Sequence, residues 1–321
     1  INFEILFSFS KIYKCLKSIL ESMDKQMRIS LVIVLILLGA VTFFNALNLD
    51  ETIGGAATNL GGCGNPECAN YTINKTPKNT TNIKYSHFME NVLDIYFPPI
   101  NSSSPLPAVI FIHGGGFISG DKDFINTAFK KEKNGFLKQN IIVISINYRL
   151  LNTASLNEIL EEDIVAAVQY IKYNSERYNI DKDNIGIWGS SAGGGSALFL
   201  GTHDDFQDLN SDDGIKREST SVKVIGHINS QATYELSKWT EILEINKVEE
   251  FNNWIQRNID ENSFGVDILL NLDRNDPPVY IETLGNNIDL NEQGKSELTK
   301  NIINHHPKHG IYLYNQLVKL G

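Results

Sequence analysis

Ser191 lies in Gly189-Ser190-Ser191-Ala192-Gly193, a G-x-S-x-G stretch. A serine hydroxyl is a weak nucleophile until a neighbouring base takes its proton. Ile185 to Trp188 read as a short buried strand, and the glycines after it allow a sharp turn into a helix with Ser191 at the apex. Such a turn exposes the hydroxyl. It also aims the next backbone N–H, that of Ala192, at charge developing on a carbonyl oxygen. The pattern alone is common, and a second element upstream gives it weight. Ala108 to His113 form an apolar run that leads directly into Gly114-Gly115-Gly116. A glycine loop placed directly after a strand can offer backbone N–H groups to an oxyanion.

Three further stretches join these motifs: Asn147-Tyr148-Arg149-Leu150 after a strand, Asn179-Ile180-Asp181 ahead of the nucleophile strand, and Asp276-Pro277-Pro278-Val279 opening a late strand. With them the chain resembles the α/β-hydrolase superfamily, and within it the hormone-sensitive-lipase-like carboxylesterases with an HGGG loop. The resemblance covers about residues 90–320. It implies an α/β fold with a mostly parallel sheet flanked by helices. It makes Ser191 the nucleophile and the N–H groups of Gly115, Gly116 and Ala192 the oxyanion hole. Gly114 then supplies the turn, and His113 braces the loop. The implied activity is a serine carboxylesterase acting on small acyl esters through an acyl-enzyme, with no cofactor and no metal.

The resemblance also places the triad acid on the loop after the late strand, where Asp289 is the first candidate and Glu282 the second. Asp276 opens that strand and reads as structural. The family's base follows one more helix and one more strand, whereas this sequence runs to Gly321. His305, His306 and His309 precede the helix and read as a polar loop. Pro307 interrupts the spacing that would align His305 and His309 on a metal. No base is identified, so the expectation is a chain cut before its catalytic histidine, nearly inactive and lacking its last strand or strands, the alternative being that His305, His306 or His309 is recruited as the base. The competing expectation is a catalytically inactive hydrolase-fold binding protein. A peptidase on the same fold is disfavoured by the HGGG loop.

The elements that must hold these residues alternate along the chain. Residues 91–98 alternate apolar and polar as a strand, with Pro98-Pro99 stopping it. Ile141 to Ile146 form a continuous apolar run, as a strand buried on both faces does. Residues 156–178 carry helical periodicity. Val222 to Ile228 and Val279 to Ile281 read as further strands, and Ile311 to Leu320 as a helix. Strand–helix alternation with short connections predicts a parallel sheet with right-handed crossovers. Residues 203–221 are polar and acidic. Asp208, Asn210 and Asp212 have the opening spacing of a calcium loop, but Asp213 stands where glycine is needed and Ser219 where glutamate is. The stretch therefore reads as a solvated loop. Residues 236–275 read as mostly helical and as a partial cap.

The chain has 321 residues and a net charge of −10, which argues against a nucleic-acid partner. Residues 1–49 read as a signal peptide or a membrane anchor with an upstream extension. The uncharged run 29–44 follows a basic flank, and extended to Leu49 it reaches spanning length. Either reading puts the hydrolase domain, residues 83–321, outside the cytoplasm. Residues 50–82 read as a linker. Cys63 and Cys68 there have the spacing for either a small disulfide loop or two thiols. Asn70, Asn74, Asn79 and Asn101 fit the glycosylation pattern. The sequence leaves the oligomeric state and the acyl and alcohol preference open.

Overall fold

Runs of isoleucine, valine and phenylalanine at 108–112, 142–146 and 185–188 become the centre of a seven-stranded sheet. The structure is a computed structural model that describes residues 79–259, 265–291 and 299–320. The apolar stretch 29–49, both linker cysteines, Asn70 and Asn74 lie outside the described residues. Among the described residues, no helix is long and apolar enough to cross a membrane.

The strands are β1 (Thr80–Lys84), β2 (Val92–Tyr96), β3 (Leu106–Ile112), β4 (Ile142–Ile146), β5 (Ile180–Ser190), β6 (Ile225–Ile228) and β7 (Val279–Glu282). Their order across the sheet is β1-β2-β4-β3-β5-β6-β7. The β1–β2 and β2–β4 pairs are antiparallel, and every later pair is parallel. The sheet starts earlier than the alternation at 91–98 suggests, because β1 reaches back to Thr80.

Successive strand side chains point to opposite faces, so each central strand feeds two cores. Ile110 and Ile112 of β3, Ile144 of β4 and Ile187 of β5 enter the larger one. Val109 and Phe111, Val143 and Trp188 enter the smaller one on the other face. Helix α1 (Lys130–Lys138) covers the smaller core with Phe136 and Leu137. Helix α2 (Val165–Tyr173) and helix α3 (Ala192–Thr202) cover the larger one. The helical run 156–178 is broken. A Ser155/Glu158 capping box starts it, a π-helical turn spans Ile159–Ile164, and Asn179 ends it in a left-handed conformation. Further on come α4 (Val248–Asn258), α5 (Lys300–Asn304) and α6 (Pro307–Leu320).

The strand order fixes where a site can form. From β3 the chain crosses to β4 on one side, and from β4 it returns to β5 on the other side of β3. The two connections diverge at the carboxyl ends of β3 and β5, where Ile112 is paired with Gly189. That switch point leaves a crevice above the sheet. The HGGG loop follows β3 and Ser191 follows β5, so both open onto it.

The loop after β4 is tied down by a buried ion pair. Arg149 Nε meets Asp163 Oδ1 at 2.9 Å, and the Arg149 backbone N–H donates to Asp163 Oδ2 at 2.7 Å. The guanidinium also reaches Glu162 at 2.7 Å and lies 3.6 Å from the Phe88 ring centre. Asp163 is fully buried. Breaking such a pair strands a charge in the interior, so Asp163→Ala is expected to cost about 3–5 kcal/mol. A lowered urea midpoint with an unchanged m-value is the readout. An unchanged midpoint would show that the pair carries no such load.

Candidate active site

The turn at Ser191 is as tight as its glycines suggest. Ser191 has φ 53°, a left-handed value that a serine adopts only under constraint. A Cβ on Gly193 would lie 2.1 Å from Ile112 O, and one on Gly189 would lie 2.3 Å from Gly193 O. No side chain fits at either position. Below the turn, Ser191 N–H donates to Ile228 O at 3.0 Å, and Ser230 Oγ donates to Ser191 O at 2.6 Å. The strained backbone is held from β6 as well as from its own strand. Ser191 is also the N-cap of α3; Gly194 N–H and Gly195 N–H donate to Ser191 O, and the N–H of Ala192, next to the hydroxyl, has no protein acceptor among the described residues.

The HGGG loop lies against this turn. A Cβ on Gly114 would sit 3.2 Å from the Ser191 Cβ. Gly115 O accepts from Ile118 N and Ser119 N, which curls the loop. Gly115 and Gly116 have φ values of 121° and 62°, which favour residues without a Cβ. Among the described residues, no protein acceptor takes the N–H of Gly115, Gly116 or Ala192. His113 is buried under the loop, with Nδ1 2.8 Å from Gly114 O. Its ring stacks on Tyr148 at 4.3 Å, and the Tyr148 hydroxyl donates to His113 O at 2.8 Å. Burial lowers the His113 pKa. The Arg149–Asp163 pair thus anchors the residue next to the one that props this loop.

The third component comes from the far end of the chain. His305 Nε2 lies 2.9 Å from Ser191 Oγ, and His305 Nδ1 lies 2.8 Å from Asn301 Oδ1. The expected polar loop at 305–309 is instead a packed turn at 305–306 followed by the first residues of α6, which is a correction. His306 is 2% exposed and His309 is 0% exposed. The physical reason is backbone fit together with carbonyl satisfaction. A Cβ on Gly285 would fall 2.2 Å from His305 O, so only glycine lets the segment after β7 pass this close. Gln231 Nε2 donates to Asn304 O at 2.7 Å, and His309 Nε2 pairs with Ile303 O at 3.1 Å. His306 Nε2 pairs with Ile288 O at 2.9 Å. The carbonyls of Ile303 and Asn304, the two residues before His305, are each met by a side chain, and the imidazole faces Ser191.

The acid candidates are placed elsewhere. Asp289 is exposed, and its Oδ1 accepts from Asn291 N at 2.8 Å. Glu282 accepts from the Tyr280 hydroxyl at 3.0 Å at the end of β7. Among the described residues, no hydrogen bond joins either carboxylate to His305. Asp276 Oδ2 accepts from Asp273 N at 2.7 Å in the turn before β7. The structure therefore brings Ser191, Ala192, the glycine loop and His305 together, and adds Asn301. The sequence reading takes His305 as a polar-loop residue and does not single out Asn301. The one signal for them was Gly285, whose contact partner is not legible from spacing.

In the segment 236–275, Trp239 is core rather than surface. It is 0% exposed, donates from Nε1 to Thr233 O at 3.0 Å and packs edge-on against His309 at 4.9 Å. Phe251 and Trp254 of α4 stack 6.3 Å apart.

A hydroxyl with an imidazole nitrogen at 2.9 Å can be deprotonated as it attacks. Burial lowers the His305 pKa from its ordinary 6.5, with a hydrogen bond to the Asn301 backbone partly opposing. The ring is therefore neutral, and able to accept a proton, at pH 7.

Comparison with known proteins places the chain. The model of the BD-FAE family matches residues 93–289, more than half of the sequence. The chain is similar to juvenile hormone esterase of Tribolium castaneum, with 29% identity over 41% of this chain and 25% of that protein. It is similar to para-nitrobenzyl esterase of Bacillus subtilis, with 31% identity over 32% of this chain and 23% of that protein. The chain spans about a quarter of the length of these relatives. Among solved structures it resembles a truncated carbohydrate esterase from gut microbiota, with 21% identity and a TM-score of 0.55. That match covers 77% of this chain and 85% of the other, and it supports the fold.

Proposed function

The chain belongs to the BD-FAE family of α/β-hydrolases, and on that footing we propose that it is a serine carboxylesterase for small acyl esters, with His305 as its base. The 2.9 Å contact between His305 Nε2 and Ser191 Oγ carries this reading. In acylation, Ser191 Oγ bonds to the ester carbonyl carbon as its proton passes to His305 Nε2. The carbonyl electron pair moves onto oxygen, facing the N–H groups of Gly115, Gly116 and Ala192. Each such donor is worth about 10²–10³ in rate. The tetrahedral adduct collapses, the carbon–oxygen bond to the alcohol breaks, and the alkoxide leaves with the proton from Nε2. Water then attacks the Ser191 ester with His305 again taking the proton, and the carboxylic acid departs. No step calls for a cofactor. The segment 236–275 is the partial cap over the acyl or alcohol group. The basic flank and apolar run before residue 49 support a domain held outside the cytoplasm.

Parallel assays with p-nitrophenyl acetate, p-nitrophenyl butyrate and a peptide p-nitroanilide test this reading. Both esters are expected to turn over, the anilide is not, and a fluorophosphonate is expected to label Ser191. Absence of label and of ester turnover would instead favour a hydrolase-fold binding protein.

A further inference from the structure

We propose that Asn301 is the residue that orients the base, a neutral amide standing where serine hydrolases of this kind place a carboxylate. The proposal rests on the Ser191–His305 reading and extends it by one residue. Asn301 precedes His305 by four positions, so a single helical turn puts both side chains on one face. Its Oδ1 lies 2.8 Å from His305 Nδ1. An amide oxygen only accepts, so Nδ1 carries the proton and Nε2 presents its lone pair. That is the tautomer the 2.9 Å contact to Ser191 Oγ requires. The turn that carries Asn301 is well fixed. Thr299 Oγ1 accepts from Ile302 N at 3.2 Å, Ile303 is buried, and Asn304 O is held by Gln231.

Asn301 therefore does one of the two jobs of a triad acid. It selects the tautomer and holds the ring, but it carries no charge to offset the imidazolium formed when Nε2 takes the serine proton. Asp289 and Glu282 do not supply that charge through a hydrogen bond, since their carboxylates are engaged at Asn291 N and Tyr280 OH. Among the described residues, the titratable groups coupled to His305 and His309 include their histidine neighbours. His306 and His309 belong to α6 and the turn before it, and His227 to β6. Burial lowers the pKa of all three. Lys300 on α5 is exposed. Among the described residues no carboxylate hydrogen-bonds to this ring, so a carboxylate at 301 would add a negative charge beside Nδ1.

Two substitutions at this exposed position separate orientation from packing. Asn301→Leu is expected to lower kcat about 10- to 100-fold with KM little changed, because either tautomer then becomes accessible. Asn301→Asp is expected to restore kcat to at least the wild-type value. It should also move the acid limb of kcat/KM upward by about one pH unit, the usual effect of an adjacent carboxylate. Nitrogen-15 NMR of the imidazole should show the proton on Nδ1 of His305 in the wild type and shared between the two neutral tautomers, Nδ1–H and Nε2–H, in Asn301→Leu, whether or not substrate is present. If Asn301→Leu and Asn301→Asp leave kcat, the acid limb and the NMR signature unchanged while His305→Ala abolishes turnover, Asn301 has no orienting role and the base assignment stands. If His305→Ala keeps wild-type turnover while Ser191→Ala is dead, the base assignment falls and takes this proposal with it.

Discussion

Alanine at Ser191 or at His305 is expected to lower kcat/KM for a p-nitrophenyl ester by at least about 10⁴-fold, leaving the residual rate of an oxyanion site without a working nucleophile. The two groups act as one unit. Without the imidazole the hydroxyl keeps its proton, and without the hydroxyl the imidazole has nothing to activate. The double variant should therefore be no worse than either single one, a non-additivity that independent contributions would not produce. KM is expected to change little, because neither group binds the ester in its ground state. The binding-protein alternative makes the opposite forecast: no turnover in the parent, and ligand affinity indifferent to either substitution. Fluorophosphonate labelling adds a second readout. Ser191→Ala should abolish it, while His305→Ala should slow it in step with ester turnover. A label rate unaffected by His305→Ala would mean that another base serves Ser191. His305 is half-buried at a helix end, and its substitution leaves the buried supports His306 and His309 in place. The variant should fold, so a loss of activity speaks to chemistry.

The nucleophile half of this site was legible because it is local. Gly189, Ser191 and Gly193 fall within five residues, and the backbone that demands glycine there is the strand leading into them and Ile112 on the neighbouring strand. The apolar runs of β3, β4 and β5 likewise mark a sheet buried on both faces, and their order places the crevice. The base half is not local. His305 is 114 residues from Ser191 in sequence. It is aimed by contacts from Gly285, Gln231 and His309, each reasonable in isolation and informative only once folded. A polar-looking His-His-Pro-Lys-His run concealed two buried rings because burial of histidine depends on carbonyl partners that a linear reading does not display. Asp289 was favoured by its position after a strand, whereas what orients an imidazole is the atom that reaches Nδ1, here an amide one helical turn away.

Acid is expected to destabilise the protein well before carboxylates titrate, because His227 and His309 are buried as neutral rings. Desolvation lowers the His227 pKa to about 4 and the His309 pKa to about 3, from an ordinary 6.5. The sign follows from proton counting. Between pH 6.5 and about 4 the unfolded chain binds protons at both rings and the folded chain does not, so stability falls as pH falls. The contribution is complete above pH 6.5. Two such rings remove on the order of 5 kcal/mol between pH 7.5 and 4.5, a large share of a domain's typical stability. The hydrogen bonds give the same direction. His309 Nε2–H donates to Ile303 O while Nδ1 accepts from Ala232 N–H, and a second ring proton would set two donors against each other. His227 Nε2–H donates to Gln231 O, and its Nδ1 has no acceptor among the described residues. Urea midpoints at pH 7.5 and 4.5 measure the effect. His309→Gln, which keeps a donor and an acceptor without a titrating ring, should remove about half of the difference. An identical difference in that variant would show that His309 does not carry the acid sensitivity.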